Sequence, residues 1–247
     1  MIFKVEGGYF NYNEVFVLKD INLHIQNGEM LTILGPNGVG KTTLVKCMLG
    51  LMPWSQGETL IDGYSIKTYS KNQLWKKIGY VPQIKTLPFA YTVEEMVLMG
   101  RNPYINFFSR PQEEDYDQVH RVLKAFKLEH LMHRQITQIS GGQIQMVLIA
   151  RALVAGPELL ILDEPELNLD LVNQIKVFET LSELVDKEQI GCVINTHNPF
   201  NALQYSQKSL LLMEKNDYLY GETKQIITKD NLSKTYQLSP ACLNFFS

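Results

Sequence analysis

Residues 35–42 read GPNGVGKT, and this stretch decides the fold of the chain. The apolar residues 30–34 before it, MLTIL, predict a short buried strand. The apolar-periodic stretch 41–51 after it predicts a helix. A glycine-rich loop that joins a strand to a helix is typical of α/β proteins with a parallel sheet. We therefore expect an α/β fold built around this strand, loop and helix.

The loop has the composition of a phosphate-binding site. Gly35, Gly38 and Gly40 allow positive φ, so that successive N–H groups can form a nest at a helix N-terminus, where the helix dipole favours an anion. Lys41 is expected to reach the β- and γ-phosphates of ATP, and the Thr42 hydroxyl to ligate Mg²⁺. An ordinary glycine-rich turn is the alternative, and the strand and helix around the loop disfavour it. The predicted nucleotide contacts here are Gly35, Pro36, Asn37, Gly38, Val39, Gly40, Lys41, Thr42 and Thr43.

Composition agrees with a cytoplasmic enzyme. The chain has 247 residues, 45% of them hydrophobic, and can bury a substantial core. Its net charge of −3 does not indicate a basic surface that would bind nucleic acid. No apolar run approaches the roughly 18 residues of a membrane span, and the N-terminus does not have the order of a signal peptide. Cys47, Cys192 and Cys242 are widely separated, which indicates reduced thiols.

Along the chain, strand-like runs surround a helical stretch. The runs lie at 2–5, 15–25, 30–34, 78–81, 159–163, 192–195 and 210–213. Between about residues 92 and 155 the pattern is helical, and Thr92 with Glu95 forms a capping box. We expect a nucleotide-binding core at about 1–88 and 157–215, a helical insertion at about 89–156 and a C-terminal tail at about 216–247.

A second glycine-rich motif, ISGGQ at 139–143, lies inside the helical stretch. Ser140, Gly141 and Gly142 are predicted to open a helix and to present N–H groups and a hydroxyl to an anion. Gly156 and Pro157 are predicted to end that helix. A further helix is expected to begin at Asp170, and its apolar residues share one face: Leu171, Ile175, Phe178, Leu181 and Val185.

Two carboxylates follow the predicted strand at 159–162. Open α/β sheets place ligand sites at the carboxyl ends of their strands. Because adjacent residues of a strand point to opposite sides, we expect different roles for Asp163 and Glu164. Asp163 is expected in the Mg²⁺ shell, and Glu164 as the base that polarises the attacking water. An acidic turn without a catalytic role is the alternative.

The order of these motifs resembles the ATP-binding subunit of an ATP-binding cassette (ABC) transporter, over nearly the whole chain. The residues that carry the resemblance are 35–42, Gln83, 139–143, 159–164 and His197. The resemblance implies a P-loop NTPase (RecA-like) core with a parallel sheet, an N-terminal antiparallel β subdomain and an inserted α-helical subdomain. It also implies ATP hydrolysis coupled to transport.

Further residue roles come from the resemblance alone. Tyr12 matches the aromatic residue that stacks on adenine, and Tyr9 and Phe16 are alternatives. Gln83 matches the glutamine that contacts Mg²⁺ or the water and links the core to the helical insertion. His197 matches the histidine that hydrogen-bonds the γ-phosphate. Residues Ser140, Gly141, Gly142 and Gln143 match the signature motif, which contacts the nucleotide held by the other subunit.

The implied partners are a second copy or a paralogous ATPase subunit, transmembrane permease subunits and, indirectly, an extracytoplasmic substrate-binding protein. Such a subunit is peripheral on the inner face of the cell membrane. Residues 99–104, MGRNPY, resemble the importer branch for iron-siderophore, haem and cobalamin cargo. Apolar residues are candidates for contact with the permease, namely Leu87, Pro88, Phe89, Phe107 and Phe108.

Three positions depart from the family pattern: Ile139 at the start of the signature, Met146 after it and Glu166 after the carboxylate pair. The sequence leaves two rival interpretations. A cytosolic ABC ATPase without a membrane partner, such as the iron–sulfur assembly type, has a similar length. A P-loop nucleotide kinase would need an acceptor site and a lid and has no use for ISGGQ or His197.

Overall fold

The computed structural model of the chain describes residues 1–83, 91–105 and 109–243. The candidate permease contacts 87–89 and 107–108 and the apolar end at 244–246 lie outside these residues. The strands, in chain order, are β1 (Ile2–Tyr12), β2 (Val15–Gln26), β3 (Met30–Leu34), β4 (Gln56–Ile61), β5 (Tyr64–Ser65), β6 (Ile78–Val81), β7 (Leu159–Asp163), β8 (Gly191–Asn195), β9 (Lys208–Met213) and β10 (Asp217–Glu222). The α-helices are α1 (Lys41–Met48), α2 (Lys71–Lys77), α3 (Val93–Leu98), α4 (Glu113–Ala125), α5 (Gly141–Leu153), α6 (Leu171–Glu188), α7 (Pro199–Tyr205), α8 (Thr223–Ile226) and α9 (Lys229–Tyr236).

The chain forms two compact units. The first unit contains residues 1–68 and 182–247, and the second contains residues 69–181. In the first unit, one antiparallel sheet has the order β2-β1-β4-β5 and another sheet has the order β10-β9-β3-β8. The strands β9, β3 and β8 run parallel, whereas β10 is antiparallel to β9. The predicted α/β class with an N-terminal antiparallel sheet is confirmed, and the antiparallel β10 makes the second sheet mixed rather than purely parallel.

The phosphate-loop strand is buried on both faces. All five residues of β3 are buried, as are those of β8. Strands of parallel sheets are covered on both sides, which is why they appear in sequence as continuous apolar runs. Met30 pairs with Cys192 and Ile33 with Asn195, so β3 and β8 end at the same edge of the sheet.

The C-terminal segment belongs to the core of the first unit. Leu232 and Leu243 are buried in one cluster with Leu34, the last residue of β3. The segment predicted as a tail therefore contains β10, α8 and α9, and the side chain of Leu243 packs on the core. The sequence pattern missed β4, β5 and β10 because these short strands carry many half-buried or exposed residues.

The second unit combines β6 and β7, a parallel pair, with α2 to α5 and the first part of α6. The predicted capping box is confirmed: Glu95 N–H donates to Thr92 Oγ1 over 3.2 Å, and Thr92 N–H donates to Glu95 Oε2 over 2.8 Å. Within the described residues, no helix is both long enough and apolar enough to cross a membrane.

The apolar face predicted for α6 is only partly buried. Phe178, Leu181 and Val185 are buried, whereas Leu171 and Ile175 are exposed. Periodicity alone cannot say how far along a helix the core extends, because the core is formed by segments that are distant in sequence. The predicted apolar residues lie on one helix, and the core covers only those from Phe178 onward.

Candidate functional site

The phosphate loop begins where β3 ends and leads into α1. Gly35 has φ 147° and Gly40 has φ 113°, as the sequence predicted for positions that need glycine. A Cβ at Gly35 would lie 2.5 Å from the carbonyl oxygen of Leu212, and one at Gly40 would lie 2.7 Å from Val17 Cγ1. Both glycines are thus required by the backbone conformation and by the space around it.

Lys41 holds a positive charge against the loop. Its side chain is buried, and its ammonium donates hydrogen bonds to the carbonyl oxygens of Gly35 over 2.8 Å and Pro36 over 3.0 Å. Thr42 and Thr43 follow in the first turn of α1 and are half-buried. A buried ammonium, two hydroxyls and the N-terminus of a helix are the donor set that phosphate oxygens require.

His197 lies at the same edge of the first unit. The N–H of Thr196 donates to the carbonyl oxygen of Ile33 over 3.0 Å, which ties the end of β8 to the end of β3. The N–H of Asn198 then bonds the Thr196 hydroxyl over 3.1 Å, and the Asn198 side chain caps α7. This turn fixes the backbone on both sides of the exposed His197.

Tyr12 is the last residue of β1 and is 52% exposed. Its ring packs edge-on against Phe10, with 4.9 Å between the centroids. A cavity of about 340 Å³ adjoins the phosphate loop, and Phe16 and Val17 line it whereas Tyr12 does not. The turn 214–216 also lines this cavity and was missed in the sequence, where nothing marks it as close to the loop.

In the second unit, Asp163 is buried at the end of β7. Glu164 is half-buried and has φ 53°, a left-handed conformation that is uncommon for residues other than glycine. From the sequence, Asp163 and Glu164 are expected on opposite sides of one strand, which is the reason for expecting different roles. That reason is wrong, because β7 ends at Asp163 and a left-handed turn separates the two side chains.

Gln83 and Glu164 lie in direct contact. The side-chain nitrogen Nε2 of Gln83 donates a hydrogen bond to Glu164 Oε2 over 2.6 Å. The parallel pairing of β6 and β7 explains the contact. Val81 pairs with Leu162, and Gln83 and Glu164 each lie just after the end of one of these strands. Two residues assigned to catalysis from the sequence are therefore brought together across 81 positions of the chain.

Tyr80 lies on β6 in a half-buried position that the charge of Asp163 also affects. Burial, with the negative charge of Asp163 as a second cause, raises the pKa of Tyr80 to about 12. A tyrosine is neutral at physiological pH even at its ordinary pKa, so this shift does not change the protonation state of Tyr80 there.

The signature motif begins α5 as predicted. Ser140 is the N-cap: its Oγ accepts from Gln143 N–H over 3.3 Å, and the Gln143 side chain accepts from Ser140 N–H over 2.9 Å. Gly142 faces α6, because a Cβ there would lie within 2.9 Å of the Cγ, Oδ1 and Nδ2 atoms of Asn173. Asn173 is in turn held by Asp170 through two hydrogen bonds of 2.9 and 2.7 Å.

The run 99–104 has a structural role that the sequence did not indicate. The buried Arg101 guanidinium forms an ion pair with Asp115 over 2.9 Å and lies 4.1 Å from the centre of the Tyr104 ring. The Tyr104 hydroxyl donates to the carbonyl oxygen of Ala155 over 3.0 Å. These contacts join the segment after α3 to α4 and to the end of the signature helix.

A further cavity of about 390 Å³ lies within the second unit. Its lining includes Trp75, Pro82, Met99 and Pro103. Pro82, part of this mainly apolar lining, directly precedes Gln83 in the chain. Gln83 is the residue that contacts Glu164.

Comparisons with known proteins agree with this arrangement. The family model described as ABC transporter matches residues 18–166. The molybdate import ATP-binding protein MolC of Haemophilus influenzae is 37% identical over 231 residues, covering 94% of this chain and 86% of MolC. A protein of Helicobacter pylori named for iron chelatin transport is 35% identical over 240 residues, covering 96% of this chain and 93% of its own length.

A solved structure is similar over almost the same length. It is described as a metal-chelate type ABC transporter in an inward-facing conformation, with a TM-score of 0.86 and 38% identity. The match covers 96% of this chain and 89% of that chain. The phosphate loop, the signature and the family match together show that this chain belongs to the ABC transporter family, as an ATP-binding subunit with ATPase activity.

Proposed function

We propose that this subunit powers the import of an iron complex, a siderophore or haem, or of cobalamin. The run 99–104 supports this cargo class by its resemblance, as does the iron chelatin relative. The metal-chelate transporter agrees with it, while the molybdate relative indicates how far cargo varies among similar subunits. Cargo is bound by other subunits, so the proposal rests on similarity rather than on a contact in this chain.

The hydrogen bond between Gln83 and Glu164 is the observation that carries the catalytic proposal. We assign Glu164 as the base that polarises the attacking water. We assign Gln83 as the residue that orients the Glu164 carboxylate. A carboxylate that accepts a 2.6 Å hydrogen bond is held in one orientation, as a general base requires. His197 is assigned to the γ-phosphate and Lys41 to the β- and γ-phosphates.

The remaining nucleotide contacts are assigned to the phosphate loop and to Tyr12, as the sequence predicts. The side chains available for Mg²⁺ are the Thr42 hydroxyl, the Asp163 carboxylate and the Gln83 amide oxygen, and oxygen ligands of this kind suit the ion. The amide nitrogen of Gln83 bonds Glu164, which leaves its oxygen as the atom for a metal. Bound with ATP, Mg²⁺ would neutralise negative charge that develops on the phosphates.

Transport requires partners. Cassettes of this family dimerise and work with transmembrane permeases. We propose a head-to-tail dimer in which Ser140, Gly141, Gly142 and Gln143 contact the nucleotide held by a second copy, or by a paralogous subunit. The binding energy of two ATP molecules closes the pair and hydrolysis lets it open, so ATP shifts a two-state equilibrium.

The membrane partner is proposed to contact the cavity lined by Trp75, Pro82 and Met99. A permease helix seated there would press on the segment that positions Gln83, and through it on Glu164. The subunit would then lie on the inner face of the membrane, with an extracytoplasmic binding protein delivering cargo to the permease.

Hydrolysis by the Glu164→Gln protein tests the catalytic proposal. We expect ATP binding to persist and turnover to fall by roughly 10²–10⁴, the usual span for general acid–base catalysis. Glu179→Gln is the matched control: it removes the same charge at an exposed position of α6 and should keep turnover within about tenfold of the parent. Near-normal hydrolysis by the Glu164→Gln protein would remove Glu164 from this role.

Uptake and localisation test the transport proposal. In cells that lack the native copy, the parent gene should restore uptake of a ferric siderophore, haem or cobalamin, and Glu164→Gln should not. The protein should sediment with membranes and leave them when the gene for its permease partner is deleted. A protein found in the soluble fraction of both strains would favour the partnerless cytosolic ATPase instead.

A further inference from the structure

The dipeptide Asn-Gly occurs twice in the chain, each time at the centre of a turn. One copy, at 27–28, joins β2 to β3, and the other, at 37–38, lies in the phosphate loop. The last N–H of each turn donates to its first carbonyl oxygen, over 3.1 Å in 26–29 and over 3.4 Å in 36–39. The two glycines have φ 75° and 79°, the left-handed value that this position of the turn requires. The chain thus contains a matched pair of Asn-Gly turns.

An asparagine that precedes glycine can react with its own backbone. The glycine nitrogen loses its proton to water and attacks Cγ of the asparagine side chain, and the missing Cβ of glycine leaves the path open. A new N–Cγ bond closes a succinimide ring, while the Cγ–Nδ2 bond breaks and ammonia leaves. Water then adds to one carbonyl of the ring and opens it to aspartate or isoaspartate. Surroundings that free the turn and favour negative charge speed this reaction.

The phosphate-loop turn is the more open of the two. Asn37 and Gly38 are both exposed, and a Cβ at Gly38 would have no atom of the described residues within 4 Å. At Gly28, by contrast, a Cβ would lie 2.9 Å from Oε1 of Gln189, a side chain held by a 2.9 Å hydrogen bond to a backbone carbonyl of α6. The closing bond of 36–39 is also longer than an ordinary N–H···O bond. Asn37 therefore has more freedom to reach the reacting geometry.

The charged groups that contact the two turns have opposite signs. The Lys41 ammonium donates to the carbonyl oxygen of Pro36 over 3.0 Å, and the N-terminus of α1 also favours negative charge there. In the other turn, the Glu29 carboxylate accepts from the Gln26 N–H over 3.1 Å, although an ion pair of 3.0 Å with Lys208 reduces its effect. The attacking nitrogen and the Cγ oxygen become negative during the reaction. The groups that suit a phosphate therefore also favour the reaction in an empty loop.

We infer that Asn37 is a deamidation site of the nucleotide-free subunit and that bound ATP protects it. Phosphates in the loop would accept from the N–H groups of the nest, including that of Gly38, and so keep its proton in place. The protection rests on ATP binding at this loop, whereas the reaction of the empty loop does not. Aspartate would add a negative charge beside the phosphates, and isoaspartate would lengthen the main chain and displace the N–H groups. Either product would weaken ATP binding, so a subunit without nucleotide would lose activity with age.

Mass spectrometry of the incubated protein tests the inference. Cleavage after Glu29 separates the two asparagines, and the conversion of amide to acid is counted in each peptide. In mildly alkaline buffer without nucleotide, Asn37 should convert at least about tenfold faster than Asn27, and in urea the two rates should agree within about threefold. A non-hydrolysable ATP analogue with Mg²⁺ should slow Asn37 at least about tenfold and leave Asn27 unchanged.

A charge variant tests the physical cause. Lys41→Met should slow conversion of Asn37 in the empty protein at least about threefold. Lys46→Met is the matched control, since it removes the same charge at an exposed position of α1 and should leave the rate unchanged. Asn27 in the same samples reports folding, because unfolding would raise its rate toward the value in urea. An unchanged rate in folded Lys41→Met protein would contradict the electrostatic cause.

The functional consequence is tested by affinity. Asn37→Asp, the product of the reaction, should weaken ATP binding at least about tenfold, and Asn27→Asp should not. During incubation without nucleotide, the parent should lose ATP binding in step with conversion of Asn37. Asn37→Ser has no side-chain amide, so it should keep whatever affinity it has at the start, whereas Asn27→Ser should decline as the parent does.

The outcomes separate this inference from the function of the subunit. Equal conversion of Asn37 and Asn27 in the folded, nucleotide-free protein would overturn the inference. Conversion of Asn37 at an unchanged rate, in samples where calorimetry shows the analogue bound, would overturn the protection. A fresh parent that binds no nucleotide would contradict ATP binding itself, and the comparison of the two asparagines would still decide whether Asn37 deamidates.

Discussion

Asn173 fills the space that a side chain at Gly142 would need. Any Cβ at Gly142 would lie within 2.9 Å of all three outer atoms of the Asn173 amide, and Asp170 prevents that amide from moving aside. Gly141, one residue earlier, has only ordinary contact, with 3.8 Å between its Cβ position and Leu169 Cδ2. Gly142 is therefore required by the space around it, whereas the space around Gly141 would accept a Cβ.

Alanine at these two positions should have opposite effects on stability. Gly142→Ala should destabilise the chain by about 1–3 kcal/mol, the usual effect of overpacking. Gly141→Ala should be neutral or stabilising by up to about 1 kcal/mol, because alanine favours a helix over glycine. Urea unfolding of both variants gives the comparison, and equal stabilities would mean that Asn173 yields without cost.

Loss of the Gln83 amide should slow turnover more than it weakens ATP binding. Gln83→Leu keeps much of the volume and removes the 2.6 Å hydrogen bond to Glu164. We expect kcat to fall by about 10–100-fold, the loss of one hydrogen bond to a charged group. Steady-state hydrolysis separates kcat from KM, and Gln118→Leu on α4 is the control. An unchanged kcat would show that Glu164 is oriented by other groups.

The adenine contact can be assigned by affinity. If Tyr12 stacks on the base, Tyr12→Ala should weaken ATP binding by about 1–3 kcal/mol, the usual worth of such stacking. Phe16 lines the cavity beside the phosphate loop, so Phe16→Ala is the informative comparison. Calorimetric titration with ATP measures both. A weakened Phe16→Ala protein beside an unaffected Tyr12→Ala protein would transfer the assignment to Phe16.

The buried ion pair between Arg101 and Asp115 should matter most at neutral pH. Burial acts to raise the pKa of Asp115, but the Gln112 N–H and the Arg101 guanidinium outweigh it and hold that pKa below its ordinary value of 3.8. Stability from a lowered pKa is present above the ordinary value and is lost as the pH falls through the folded-state value. Breaking such a pair costs about 3–5 kcal/mol, so Asp115→Asn should lose that much at pH about 7.

Urea unfolding at several pH values checks this expectation. The gap between the parent and Asp115→Asn should be constant in the neutral range and should narrow as the pH falls below 3.8. Glu114→Gln, at an exposed neighbour on α4, should show no such gap. A gap that does not depend on pH would assign the effect to packing rather than to the carboxylate charge.

Local features were predictable from the sequence. The strand Met30–Leu34 has the predicted bounds, and the helix after the phosphate loop begins at Lys41 as expected. The Thr92–Glu95 capping box and the Ser140 helix start are also as predicted. Each depends on residues within a few positions of one another, so a short window of sequence contains the whole physical cause.

Long-range features were not predictable. The contact between Gln83 and Glu164, the packing of Asn173 on Gly142 and the ion pair of Arg101 with Asp115 were all missed. In each case the partners lie on different elements, and only the pairing of strands and helices brings them together. The exposure of Leu171 was missed for a related reason, because distant segments decide where the core ends.

By itself, the sequence determined the phosphate loop, the signature helix and membership of a family of transport ATPases, since these depend on glycines, caps and apolar runs at fixed short spacing. The tertiary structure alone decided which side chain forms a hydrogen bond with Glu164 and which apolar residues of α6 are exposed to solvent. The physical reason is that backbone conformation follows from neighbouring residues, whereas burial and side-chain contacts follow from how the whole chain packs.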